Sequence, residues 1–218
     1  MNKVLEFLQD LSQNNNKEWF HVNRNRYEKS RDTMLFVTEV LINEIRKFDT
    51  EISVMNPKDC MFRIFRDVRF SNDKRPYKTN FGIFIAKGGR KSMYAGYYLH
   101  IEPGTSFAGG GIYMPPAEPL KAIRNYLASH GDEFLELIND KNFLAIYPEM
   151  YDHKLKTAPK GFPKDHPFID LLRYKSIVFS TNLNNSRITD KDFIKDVVNA
   201  FRKLQPLIEV INNALDKS

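Results

Sequence analysis

The chain has 218 residues, of which 42% are hydrophobic, so it has enough apolar surface for a substantial core. Its net charge of +6 favours anionic ligands without identifying a partner, and its one cysteine excludes an intrachain disulfide, as expected in a reducing cytoplasm. Because no stretch approaches the roughly 18 consecutive apolar residues of a membrane span, and the first residues lack the cleavage pattern of a signal peptide, we expect a cytoplasmic protein without a membrane partner.

Two helices are predicted before residue 50. The spacing of the apolar residues between positions 4 and 11 predicts a short first helix with one apolar face, and "SQNNN" is predicted to end it. A longer helix is predicted from about 16 to 48, with Asn15 as its N-cap and Glu18 completing a capping box. Its apolar residues recur every seven positions, and the globular sequence on both sides favours packing on a sheet over a coiled coil.

The region from about 60 to 114 is predicted to form an antiparallel meander. Strand patterns occur in "CMFRIF", "NFGIFIAK", "YAGYYLHIE" and "SFAGGGIYM", and the short turns "KGGRK" and "PGT" connect the last three. "YKSIVFS" predicts a late strand.

Helices are predicted on both sides of that late strand. "PPAEPLKAIRNYLASHG" has the pattern of a helix that its final His-Gly pair ends. After the strand, Thr189 with Asp192 opens a last helix, which Pro206 kinks or restarts. We therefore predict a single α+β domain over residues 1–218, an antiparallel sheet packed against long N-terminal and C-terminal helices.

The stretch "RIFRDVRFSNDKRPYKTNFG", residues 63–82, combines positive charge with core-like aromatic residues. It has six basic and two acidic residues, and a second basic run follows at 153–166. A guanidinium offers a planar fork of donors that matches the oxygens of phosphate or carboxylate, so the stretch predicts an anion-binding pocket. The predicted ligand-binding residues are Arg63, Arg66, Asp67, Arg69, Asp73, Lys74, Tyr77 and Lys78, with Lys154, Lys156 and Lys160 as the rim.

Asp67 and Asp73 are expected to neutralise and orient the arginines, because burying several like charges without acids is costly. The alternative role is a metal ligand or a general base, but two acids with no third ligand in register predict no metal site. Tyr77 is expected to hydrogen-bond to or stack on a flat ligand, and Lys78 to meet a phosphate. For the whole stretch, the alternative is an internal salt-bridge network that ties the meander to the long helix.

Other motifs predict no further site. "AGGGIY" lacks the strand-loop-helix context of a dinucleotide site, and the five histidines lack a metal-binding spacing. His100 is predicted to be a satisfied structural residue on a sheet face, and Cys60 is predicted to be core. These patterns assign no cofactor.

Three functions stay open on this sequence. The first is binding of a small phosphorylated or carboxylated ligand, with or without catalysis. The second is a nucleic-acid-binding module, in which cations spread along one face and Tyr77, Tyr97 or Tyr98 stacks on bases. The third is a structural or interaction protein whose charges hold the fold.

Several blocks of the sequence, in order along nearly the whole chain, resemble one family. They are "NNNKEWFHVNRNRYE", "CMFRIFRDVRFSNDKRPYKTNFG", "YYLHIEP", "GGGIYMP" and "KLKTAPKGFPKDHPFIDLLRYKS". Their joint occurrence is similar to the bacterial and fungal family catalogued as domain of unknown function 2461. Arg75 stands where this resemblance leads us to expect a smaller polar residue. The resemblance implies a single-domain cytosolic protein, and it brings no activity, substrate or catalytic residue with it.

Overall fold

The computed structural model describes residues 1–69 and 72–217, and this part has four strands and nine helices. The strands are β1 (Phe81–Ala86), β2 (Gly96–Ile101), β3 (Ser106–Ile112) and β4 (Ile177–Leu183). The helices are α1 (Asn2–Gln13), α2 (Lys17–Val22), α3 (Arg24–Ile45), α4 (Pro57–Cys60), α5 (Ala117–Ile138), α6 (Lys141–Leu144), α7 (Ile169–Leu172), α8 (Asn185–Thr189) and α9 (Phe193–Asp216). None of these helices is long and apolar enough to cross a membrane. Phe70 and Ser71 of the charged stretch lie outside the described residues.

The four strands form an antiparallel sheet in the order β1-β2-β3-β4. Ile83, Leu99 and Ala108 are successive partners across it, and their side chains share one buried face. The helices α3 and α9 pack on this face, where the ring of Phe201 in α9 lies 5.3 Å from that of Tyr97. The predicted α+β fold, with an antiparallel sheet against long N-terminal and C-terminal helices, is confirmed.

The predicted helix from about 16 to 48 is divided into α2 and α3 at Asn23. Asn16, and not Asn15, caps α2, because its side-chain oxygen accepts a hydrogen bond from a backbone N–H three residues on, at 2.8 Å. The Asn15 side chain instead bonds to the N–H and the carbonyl of Tyr77, at 3.1 and 3.0 Å. These two bonds tie the start of the chain to the charged stretch.

The predicted strand at 60–65 is not continuous, because the helical turn α4 occupies its start. The chain then runs beside the outer edge of β1, where the N–H of Phe62 donates to the carbonyl of Gly82 at 2.9 Å. Beyond this point, residues 64–66 pair with residues 76–78. The charged stretch therefore begins as a short two-stranded ribbon, named here the basic ribbon, which leaves the sheet beside β1.

The helix α5 continues through the His-Gly pair that was predicted to end it, with a local break at His130, whose φ is −128°. A side chain at Gly131 would meet the ring of Phe168 at 2.4 Å, so the glycine permits close packing and does not end the helix. Pro206 lies inside α9, which continues past it to Asp216.

Candidate functional site

A cavity of about 440 Å³ lies at the outer edge of β1, between α3 and the basic ribbon. Small-molecule sites occupy about 300–1,000 Å³, so the cavity has the size of a ligand site. Its apolar and aromatic lining consists of Tyr27, Leu35, Met61, Phe62, Phe65 and Phe81. Its charged lining consists of Arg31, Lys58, Arg63, Lys78 and Arg90. No carboxylate side chain is among these described lining residues, so the cavity is positively charged.

The five cations of the cavity come from separate parts of the fold. Arg31 belongs to α3, Lys58 to α4, and Arg90 to the loop between β1 and β2, while Arg63 and Lys78 adjoin the two strands of the basic ribbon. Within residues 1–69 and 72–217, none of the five forms a salt bridge. No carboxylate in this part of the chain therefore compensates them directly.

Two of these cations lie over the ring of Phe62. Lys78 Nζ lies 5.4 Å and Arg90 Cζ lies 4.7 Å from the ring centroid, within the distance of cation–π contacts. The Nε–H of Arg90 also donates to a backbone carbonyl of α4 at 3.1 Å, which fixes its guanidinium. Burial, followed by the charges of Arg63, Arg90 and Arg66, lowers the pKa of Lys78. The folded chain thus disfavours the charge of this lysine, and an anion in the cavity would stabilise it.

Arg63 and Lys78 are the predicted site residues that the structure places on the cavity wall. The other arginines of the stretch form ion pairs within it: Arg66 Nη1 lies 2.7 Å from an oxygen of Asp73, and Arg69 Nη2 lies 2.6 Å from one of Asp67.

Asp67 and Asp73 are both ion-paired with arginines of the charged stretch, and an orienting role for them stays a prediction. Arg75 Nη2 also lies 2.6 Å from Asp73, so that carboxylate is shared by two guanidiniums. Hydrogen bonds from Arg69 lower the pKa of Asp67 to about 2, and those from Arg75 likewise lower the pKa of Asp73. This part of the stretch has the character of an internal salt-bridge network.

Lys74 and Tyr77 also lie outside the cavity lining. Lys74 Nζ donates to the carbonyl of Val68 at 3.0 Å, within the charged stretch itself. Tyr77 is only 6% exposed, and its ring stacks on that of Phe20 with the centroids 4.0 Å apart. The Tyr77 ring is therefore part of the core and supports the neighbouring ring of Phe65, 5.5 Å away.

None of the three lysines predicted as a rim is among the described residues that line the cavity, and Lys154 lies at the opposite edge of the sheet. The segment from 150 to 155 runs beside β4, where the N–H of Tyr151 donates to a carbonyl of that strand at 2.9 Å. Lys154 lies over the ring of Tyr174, and Lys156 and Lys160 are exposed in the same part of the chain. Because β1 and β4 are the two outer strands, these lysines do not form the rim of this cavity.

A family model described as conserved hypothetical protein (DUF2461) matches residues 3–209, nearly the whole chain. The chain belongs to this family. The resemblance carried by the sequence blocks is thereby confirmed, whereas no curated protein and no solved structure matches the chain. The DUF2461 description names no activity, so family membership assigns neither a substrate nor a reaction.

Three cations of the cavity in this DUF2461 protein were not predicted from the sequence, namely Arg31, Lys58 and Arg90. The position of Arg31 could have been predicted from helical spacing, since it lies four residues after Tyr27 and four before Leu35, on the face of α3 that lines the cavity. Lys58 and Arg90 have no comparable signal, because only the folding of distant segments brings them to the cavity.

A hydrogen-bonded polar chain lies on the sheet face opposite the core. The hydroxyl of Tyr98 is hydrogen-bonded to His100 Nδ1 at 3.0 Å, and His100 Nε2–H donates to a carboxylate oxygen of Glu102 at 3.1 Å. Burial raises the pKa of Tyr98 to about 12. The ring of Phe62 lies 6.2 Å from that of Tyr98, so the polar chain adjoins the cavity wall.

The described residues contain no group of three or more His, Cys, Asp or Glu side chains that could hold a metal ion. The cavity itself is lined by cations, aromatic rings and the side chains of Leu35 and Met61.

Proposed function

We propose that the cavity binds a small anionic ligand, phosphorylated or carboxylated. The observation that supports this most strongly is that five cationic side chains line one cavity, with no carboxylate among the described residues of its lining. Like charges held close together repel one another, and an anion that accepts hydrogen bonds from several of them would turn this repulsion into attraction. Three of the five are arginines, whose planar forks match the oxygens of phosphate and carboxylate.

The two alternative functions explain less of the site. An internal salt-bridge network accounts for Arg66 and Arg69, which are paired with aspartates, but not for the five cavity cations. The nucleic-acid hypothesis gave base stacking to Tyr77, Tyr97 or Tyr98, but Tyr77 and Tyr97 are buried in the core and the hydroxyl of Tyr98 is bonded to His100.

The proposal is tested by titrating inorganic phosphate and pyrophosphate into the protein in a chloride buffer, with calorimetry and thermal unfolding as readouts. A ligand at about 100 times its Kd stabilises the folded state by about 2.7 kcal/mol, which is about 5–10 °C in Tm for a chain of this size. Because phosphate also stabilises proteins by exclusion from their surface, the diagnostic quantity is the difference between wild type and a cavity variant.

The cavity variant is the double substitution Arg63→Gln and Arg90→Gln, and the matched control is Arg69→Gln, which removes an arginine that is bonded to Asp67. We expect the double variant to lose heat of binding and the ligand-dependent rise in Tm, and the control to keep both. Absence of binding to wild type, or equal loss in the control, would refute the proposal.

A further inference from the structure

The cavity wall contains an exposed aromatic ring. Phe65 is 50% exposed although it is a large apolar residue, while its neighbour Ile64 is 2% exposed. A single exposed apolar residue is common on protein surfaces, but Phe65 also lines the cavity that the five cations line. The ring of Phe65 is therefore available to a molecule that enters the cavity.

The ring of Phe65 is held in place by backbone pairing and by two aromatic rings on its core side. The backbone of Phe65 pairs with that of Tyr77 in the basic ribbon, and the two rings lie 5.5 Å apart. The ring of Phe20 lies 6.0 Å from Phe65 and stacks on Tyr77 with the centroids 4.0 Å apart. Three rings in mutual contact leave Phe65 little freedom, so it is already placed before a ligand arrives.

The ring and the cations lie on the same wall. Arg63 and Phe65 are separated by one residue in the chain, and both line the cavity. Lys78, on the partner strand, bonds through its N–H to the carbonyl of Ile64 at 2.8 Å and lines the same cavity. A ligand held by these cations therefore comes within reach of the Phe65 ring.

We propose that the anion bound in the cavity carries a flat aromatic ring, which stacks on Phe65 while its phosphate or carboxylate is held by the cations. The inference rests on the proposed anion site and narrows its ligand to ring-bearing anions, such as nucleotides or aryl phosphates. Tyr77, which was expected to hydrogen-bond to or stack on a flat ligand, lies in the core, where its ring supports that of Phe65.

The test compares three phosphates by calorimetry: adenosine monophosphate, phenyl phosphate, and ribose phosphate, which has no aromatic ring. Removing the aromatic partner of a stacked base typically costs about 5- to 150-fold in affinity. We expect wild type to bind at least one ring-bearing phosphate more tightly than ribose phosphate by a factor in that range. Tighter binding of the nucleotide than of phenyl phosphate assigns the ring to a base, and the reverse order assigns it to a simple aryl group.

The variant Phe65→Ala is expected to lose this preference while keeping its affinity for ribose phosphate. Phe65→Leu, which keeps apolar bulk without a ring, serves as a second variant in case the alanine protein does not fold. Phe36→Ala is the matched control, because Phe36 is 67% exposed in α3 and is not among the residues lining this cavity.

Equal affinity of wild type for all three phosphates would overturn the ring inference and leave the anion site standing. A preference that survives both Phe65 substitutions would also overturn it. Absence of binding to any of the three would refute the anion site itself, so the two failures are distinguishable.

Discussion

Replacing Lys78 by methionine is expected to stabilise the ligand-free protein while weakening its binding of anions. Methionine keeps an unbranched apolar side chain over the ring of Phe62 but removes the charge that lies among other cations. The prediction follows from the proposed function, because a site built to hold an anion is under repulsion when it is empty.

Two distances bound the magnitude of this repulsion. Because Lys78 Nζ lies 5.4 Å and Arg90 Cζ 4.7 Å from the same ring centroid, their charges are no more than about 10 Å apart. At that separation two unit charges repel by about 0.4 kcal/mol in bulk water and about 1.7 kcal/mol at an effective dielectric constant of about 20. The substitution loses a cation–π contact of about 0.5–1 kcal/mol, but it also relieves repulsion from Arg63. We expect a net gain of about 1 kcal/mol, or about 2–4 °C in Tm.

The assay is thermal unfolding of both proteins at low and at high salt, where the gain should shrink because salt screens the repulsion. Lys154→Met is the matched control, since Lys154 Nζ also lies over a ring, 4.3 Å from the centroid of Tyr174. The charge near Lys154 is a carboxylate, that of Asp152 at 3.9 Å, so its removal should bring no gain. A lower Tm for Lys78→Met, or an equal gain for Lys154→Met, would refute the reasoning.

Three further predictions concern the core and the polar chain. Tyr97→Phe should destabilise the protein by about 1–3 kcal/mol in urea unfolding, because buried Asp49 loses a hydrogen bond that it accepts at 2.7 Å; an equally large effect of Tyr113→Phe, at an exposed site, would contradict this. Burial alone would raise the pKa of Glu102, but the hydrogen bonds that its carboxylate accepts outweigh burial and lower the pKa below the usual 4.5. The ionised Glu102 therefore stabilises the folded protein above pH 4.5, and this stabilisation is lost as the pH falls below that value. Glu102→Gln should therefore lose less stability than wild type on acidification, and parallel pH profiles would count against the assignment. Burial raises the pKa of Cys60 to about 11, so a thiol reagent should label it only on unfolding, and rapid labelling of the folded protein would disprove this.

The sheet was predictable because short apolar runs rich in aromatic and β-branched residues form β1, β2 and β4, and short turns join the first three strands. The division of the long helix at Asn23 was not, because the apolar repeat continues across it. The ring centroids of Phe20 in α2 and Tyr27 in α3 lie 5.1 Å apart, so both helices face the same core. The seven-residue apolar repeat therefore continues across Asn23 although the helix is broken there.

The candidate site was predictable only in part, because a count of charges does not tell which cations are already paired. The paired ones share a local pattern, in which Asp67 precedes Arg69 and Asp73 precedes Arg75 by two residues, and each aspartate accepts both the side chain and the N–H of its arginine. Arg63 has no aspartate in that position and lines the cavity instead. Lys58 and Arg90 are brought to the cavity by tertiary folding, which a local pattern does not encode.

The most direct test of the anion site is a crystal structure of the protein grown with tungstate, a phosphate analogue whose anomalous scattering marks its position. We predict an anomalous peak inside the cavity, with tungstate oxygens within hydrogen-bond distance of Arg63, Lys78 or Arg90. A peak confined to the paired arginines or to the lysines beside β4, with none in the cavity, would contradict the proposal.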